Sequence, residues 1–337
     1  VAPRAPASTG WFLRRAAIGI AVLALAIAGG AWLMHSAIDP EAEGPAVEAR
    51  NDALAGVASW AFRDVGQTAE VGAGDDLVVV PATRDRQLLS RADVQALRHR
   101  TGGGDRVVLA HVSLAEIADS SDMWRSDWVV DVSPGDSSRS GVTFPRVPAA
   151  GAPAWLAREN AVRRTTFPVR FWQSDWQARL IGRSFSLINR LVAIGVDGIY
   201  LTGGDAAQSW SLERPGARDD LAALVRRIAS HVRQLKPELL IVLENGDELV
   251  DDRRIRLAVD AFAITELFYS GSGAGEPIAD EAIDARLARL RPLQIDARPI
   301  LVREQLLDAR SVAAVSARVR RLGLVPAVEA RSTGVRP

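Results

Sequence analysis

The sequence predicts an α/β fold, a (β/α)8 barrel of TIM type, preceded by an N-terminal transmembrane or signal helix. Three observations predict it. Short, near-continuous apolar runs of strand length alternate with amphipathic helical patterns. Those helical patterns have acidic or hydroxyl starts and glycine or proline stops. An uncharged run close to membrane-spanning length stands near the N-terminus.

The elements follow in order. Residues 1–15 carry Arg4, Arg14 and Arg15, and 16–34 form the uncharged run "AAIGIAVLALAIAGGAWLM". A spanning helix needs about 20 apolar residues. With arginines before the run and Asp39, Glu41 and Glu43 after it, the pattern predicts a cytoplasmic N-terminus and an anchor in the cytoplasmic membrane. The body would then face the periplasm or the extracellular side, or be secreted if the segment is cleaved. Residues 35–56, rich in Ala, Glu, Pro and Gly without periodicity, read as a linker, and 57–337 as the barrel.

Eight runs within the barrel read as strands buried on both faces: 58–64, 76–82, 106–113, 167–172, 197–202, 238–245, 260–266 and 298–304. "LVPAVEA" near the C-terminus is a ninth candidate. Helices are expected from Ser174 to Gly195, from Asp219 to Lys236, and from Ser311 to Gly323. The Ser-, Gly- and Pro-rich stretch 133–153 is long for a connection and reads as a lid or insert beside the strand ends. The alternative architecture is an open doubly wound sheet. No GxGxxG follows an early strand, however, and "TGGGD" at 101–105 precedes a strand and reads as a turn.

Composition narrows the function. The 41 basic and 41 acidic side chains balance, so there is no cationic surplus for coating nucleic acid. The chain has no cysteine, which excludes disulfides, thiolate metal sites and a cysteine nucleophile. The four histidines, at 35, 99, 111 and 231, show no metal spacing, and no Ser-His-Asp arrangement is evident. No metal and no cofactor are expected.

In a parallel barrel the active site lies at the C-terminal ends of the strands. Those ends offer Glu116, Trp172, Thr202 with Asp205, Glu244 with Asn245, Glu266, and Arg303 with Glu304. Carboxylates converging from different strands suit glycosidic bond cleavage, in which one acid protonates the leaving oxygen and a second acts as nucleophile or activates water. Tryptophan faces, Trp172 and Trp124 among them, offer flat platforms to a sugar ring. The same acids also suit ion pairs, and the same tryptophans core packing. Spacing alone leaves both open.

The body from about Trp60 onward resembles the endo-α-1,4-polygalactosaminidases, glycoside hydrolase family 114, and related extracellular glycosidases. The family reads "vlaYlSiGEae" where this chain has "VLAHVSLAEIAD", and "GfDGvylDnvD" where it has "GVDGIYLTGGD". It reads "VrfWdp.W", "qNg.el" and "vnE..fy" where the chain has "VRFWQSDW", "ENGDEL" and "ITELFY". The resemblance implies a (β/α)8 barrel acting on an amino-sugar-containing polysaccharide. It implies that Glu266 is the proton donor, Asp205 the second acid of its motif, and Glu116 an acid lining the pocket. Trp172, Thr202, Asn245 and Trp124 are the further substrate contacts expected at the strand ends and among the tryptophans. The family's catalytic aspartate falls on Thr202, and His111 and Ala115 replace its usual Tyr and Gly. A threonine hydroxyl cannot act as a carboxylate base without an activating partner. Two outcomes follow: Asp205 supplies the missing charge, or the chain is a catalytically impaired carbohydrate-binding relative serving exopolysaccharide or envelope assembly.

Overall fold

A computed structural model describes residues 40–63, 74–100, 102–132, 144–270 and 275–330. The expected anchor or signal segment at 16–34 lies outside them. Among the described residues no helix is long and apolar enough to cross a membrane. The chain divides into two units, 1–48 and 49–337, and the second holds the barrel.

Eight parallel strands form one sheet in strict chain order. They are β1 (Trp60–Phe62), β2 (Leu77–Pro81), β3 (Val107–Ser113), β4 (Gly198–Thr202), β5 (Leu240–Glu244), β6 (Ala261–Thr265), β7 (Ile300–Leu306) and β8 (Val325–Ala330). Sequential order with crossover helices is the pattern of a barrel and not of a doubly wound sheet, whose order reverses. The barrel is nearly closed. Among the described residues no ladder joins β8 to β1, but Trp60 Nε1 donates to the carbonyl of Val325 at 3.1 Å, and Arg63 pairs with Glu329.

Alternation along the strands sorts the side chains. Leu77, Val79, Leu109, Tyr200, Val242, Ala263 and Leu301 share one buried cluster inside the barrel. Val78, Val108, Ile199, Ile241, Phe262 and Val302 belong to a second cluster between barrel and helices. The next inward position on each strand therefore faces the barrel mouth, and it is polar on five strands: His111, Thr202, Glu244, Thr265 and Arg303. Gly198 is glycine because a Cβ there would stand 2.6 Å from the side chains of Leu109 and Leu240.

Four sequence expectations need correction. The run 167–172 is not a barrel strand. β3 pairs directly with β4, Ser113 against Thr202, while Thr166–Pro168 pairs antiparallel with Glu116–Ala118 in an excursion above the sheet. Phe167, Val169 and Phe171 are buried there as a strand's would be, among the aromatics of the excursion. "LVPAVEA" is the eighth strand instead. The supposed linker holds a helix, Pro40–Ala55, from which Arg50 donates to the buried Asp260 at 2.9 Å. The helix expected from Ser174 to Gly195 is two, Ser174–Leu180 and Leu187–Ile194, broken where Gly182 takes φ +94°. The helices Ala217–Leu235 and Val312–Arg321 stand close to where their caps placed them. Of the expected lid, residues 133–143 lie outside the described residues, and Val147–Pro148 pairs with Val129–Val130.

Candidate active site

The barrel mouth is built from the last inward residues of the strands and the loops just beyond them. At its floor Tyr200 donates its hydroxyl to Glu244 Oε2 at 2.6 Å. Arg303 approaches the same oxygen at 3.6 Å and lies over the Phe62 ring at 4.1 Å. Phe62 also meets His111 and Tyr200 edge-on. His111 Nε2 lies 2.9 Å from the hydroxyl of Thr202. Burial and the Arg303 charge push the His111 imidazole down to about 4, so it is neutral at physiological pH. Thr202 thus has a partner, but one that does not turn it into an acid.

The loop after β4 needs its two glycines. Gly203 takes φ +87°, and a Cβ on Gly204 would lie 2.4 Å from the Glu244 carbonyl. The Gly204 amide donates to that carbonyl at 3.1 Å, tying the loop to the end of β5. Asp205 stands beyond it, solvent-exposed at its tip. The surrounding protein strips part of its hydration and raises its carboxyl; Asp247 adds to this, and Arg286 and Arg163 oppose it.

Glu116 lies where expected, at the mouth, and pairs with Arg163. Burial raises its carboxyl, Arg163 opposes, and the charge of Asp205 pushes the same way as burial. A cavity of about 340 Å³ opens beside it, lined by Phe62, Pro81, His111, Ser113, Glu116 and Met123 among others. Glu266 follows β6 directly, is exposed, and takes φ +55°, a left-handed conformation uncommon outside glycine. Among the described residues its carboxylate makes no hydrogen bond or ion pair.

Two expected substrate contacts have other occupations. Asn245 clamps the next strand end: its Nδ2 donates to Thr265 Oγ1 at 2.9 Å, and its Oδ1 accepts from the Thr265 amide at 3.0 Å. Trp124 is buried, stacked at 4.5 Å on Phe167 and edge-on to Trp128. Its faces are covered, so it offers no open platform here. Trp172 is half-buried and edge-on to Trp210 and Phe171, on the approach to the helix Ser174–Leu180.

The remaining acids at this end are already engaged. Asp247 binds Arg286 at 2.6 Å, and Glu304 accepts the amides of Leu267 and Phe268 at 2.6 and 2.8 Å. Glu116, Glu244 and Glu329 each face an arginine. Asp205 and Glu266 make no contact ion pair among the described residues, although Arg286 and Arg163 act on Asp205 from farther off. The floor residues Tyr200, His111 and Arg303 carried no signal as a group in the sequence. Only their shared inward parity along the strands could have gathered them.

No protein-family model matches the chain. It is 28% identical over 234 residues to an uncharacterized protein of Deinococcus radiodurans, covering 69% of this chain and 67% of that one. It is 26% identical over 169 residues to an uncharacterized protein of Thermotoga maritima, covering 48% of this chain and 45% of the relative. Among solved structures, the glycoside hydrolase domain of PelA from Pseudomonas aeruginosa superposes with a TM-score of 0.56 at 24% identity, over 82% of this chain and 96% of that domain. A variant of the same domain superposes equally well. The chain therefore shares its fold with a glycoside hydrolase domain, the scaffold that the resemblance to family 114 implies.

Proposed function

We propose that this chain is an exported glycoside hydrolase-like protein that acts on an amino-sugar-containing polysaccharide held at the barrel mouth. One observation carries the proposal: in a mouth where the other acids are in contact with arginines or amides, Asp205 and Glu266 make no contact ion pair among the described residues, Arg286 and Arg163 acting on Asp205 only from farther off. Acids held in no contact ion pair favour a ligand that brings its own cations, as a galactosamine polymer does. Glu266 is the acid that protonates the leaving oxygen, and Asp205 holds the chain. The left-handed backbone at Glu266 supports this, since strained conformations gather at functional sites.

Release of new reducing ends from an α-1,4-linked galactosamine polymer tests the proposal. Glu266→Gln is expected to lower the rate on the order of 10²–10⁴-fold, the usual contribution of a general acid. Equal rates in the two proteins contradict it. Export rests on the arginines that precede the uncharged run at 16–34. Recovery of the full chain in the soluble cytoplasmic fraction contradicts that part.

A second reading is favoured by the Thr202–His111 contact. Where the resemblance places a catalytic aspartate, this chain holds a hydroxyl against a neutral imidazole. A carbohydrate-binding protein without turnover fits that contact, and it predicts saturable binding of the polymer with no product.

A further inference from the structure

We propose that Glu244 supplies the carboxylate that position 202 lacks, with one oxygen anchored by Tyr200 and Arg303 and the other left for the reacting sugar. This rests on the glycoside hydrolase reading and names the second carboxylate within it.

Placement is the first reason. β4 and β5 pair with Leu201 against Leu243, so Thr202 and Glu244 are inward neighbours in the same layer of the barrel floor. Asp205, by contrast, stands three residues beyond its strand, on an exposed loop. A carboxylate lost from the end of β4 is replaced nearest at the end of β5.

Hydrogen bonding is the second reason. Tyr200 and Arg303 both address Oε2. Oε1 accepts no hydrogen bond among the described residues, yet it is not one of the sealed, unbonded polar atoms of the interior. The side chain as a whole is 9% exposed. Glu244 is held on one side and open on the other.

Electrostatics agree. Burial raises the Glu244 carboxyl, while Arg303 and the Tyr200 hydroxyl oppose that rise. Tyr200, buried and facing this acid, is itself raised well above its ordinary value, so it remains a proton donor throughout the neutral range. In the reaction Glu266 gives its proton to the glycosidic oxygen as the bond from that oxygen to the anomeric carbon breaks. Glu244 takes a proton from the water whose oxygen bonds to that carbon. One water is consumed, and exchange with solvent restores both carboxyls.

The test uses the whole chain and three variants: Glu244→Gln, Glu244→Ala, and Thr202→Asp combined with Glu244→Gln. The glutamine variant keeps an acceptor for Tyr200, so its melting temperature checks folding. Its rate on the galactosamine polymer is expected to fall on the order of 10²–10⁴-fold. Azide, a small anionic nucleophile, is expected to rescue Glu244→Ala on an aryl glycoside and to leave a glycosyl azide visible by mass spectrometry. The double variant, with its acid returned to β4, is expected to regain turnover. A folded Glu244→Gln at the wild-type rate overturns the assignment of Glu244 and leaves the hydrolase reading standing. So does a slow Glu244→Ala that azide does not rescue. A wild-type protein without turnover on either substrate overturns both.

Discussion

Replacing Thr202 by aspartate puts a carboxylate beside His111, and the imidazole reports it. In the wild type, burial and Arg303 hold His111 at about 4. The threonine hydroxyl lies 2.9 Å from Nε2, and an aspartate at the same position places its oxygens at similar range. An opposite charge that close raises an imidazole by about 1–3 units. His111 in Thr202→Asp is therefore expected to titrate near pH 5–7, a difference of about 1.4–4 kcal/mol between its protonation states. The assay is a proton-NMR titration of the imidazole ring hydrogens, with the His111 signal assigned by its absence in His111→Gln. A midpoint still near 4 in the aspartate variant refutes the reasoning, because it means that position 202 and His111 do not face each other at the barrel floor.

Other consequences are cheaper to measure. Between about pH 6.5 and 4 the unfolded chain protonates His111 while the folded chain refuses the proton, so stability falls with pH across that window. The loss has an upper bound of about 3.4 kcal/mol, reduced because the ring is only partly shielded from solvent; in denaturant titrations the difference between wild type and His111→Gln should be constant above about pH 6.5 and change progressively as pH falls toward 4, because only the wild type loses stability by this titration. Asp260 is buried and accepts from Arg50, Arg233 and the Ile241 amide at 2.9, 2.7 and 2.8 Å. Asp260→Ala removes the carboxylate partner of two arginines and is expected to cost about 3–5 kcal/mol, whereas a loss under about 1 in urea unfolding contradicts the buried network. Gly204→Ala drives a methyl onto the Glu244 carbonyl and is expected to cost about 1–3 kcal/mol by overpacking; an unchanged melting temperature shows that the loop and β5 are not in contact.

Most of the barrel was legible because a strand buried on both faces leaves a signature that few other elements share. Seven of the eight candidate runs, with the ninth, make the sheet. The run 167–172 has the same apolar density for a different reason: aromatic packing in an excursion imposes similar burial on a strand outside the barrel. Gly182 went unread as a break because the apolar stripe resumes beyond it. The helix 40–55 escaped because a helix without amphipathic periodicity resembles a linker in composition. At the site, the acids at strand ends were visible one at a time. Which of them would be neutralised was not, because Arg163, Arg286 and Arg303 reach them from distant parts of the chain. Asn245 and Trp124 read as ligand contacts for the same reason: the sequence does not show that Thr265 and Phe167 already occupy them.

The most direct measurement is calorimetric titration of the wild-type chain and of Asp205→Asn/Glu266→Gln with an α-1,4-galactosamine oligomer at low salt. Removal of the two unmatched carboxylates is expected to weaken binding about tenfold or more, and added salt to weaken the wild type toward the variant. Equal affinity in both proteins, insensitive to salt, would show that the sugar does not meet these acids and that the barrel mouth is not its binding site.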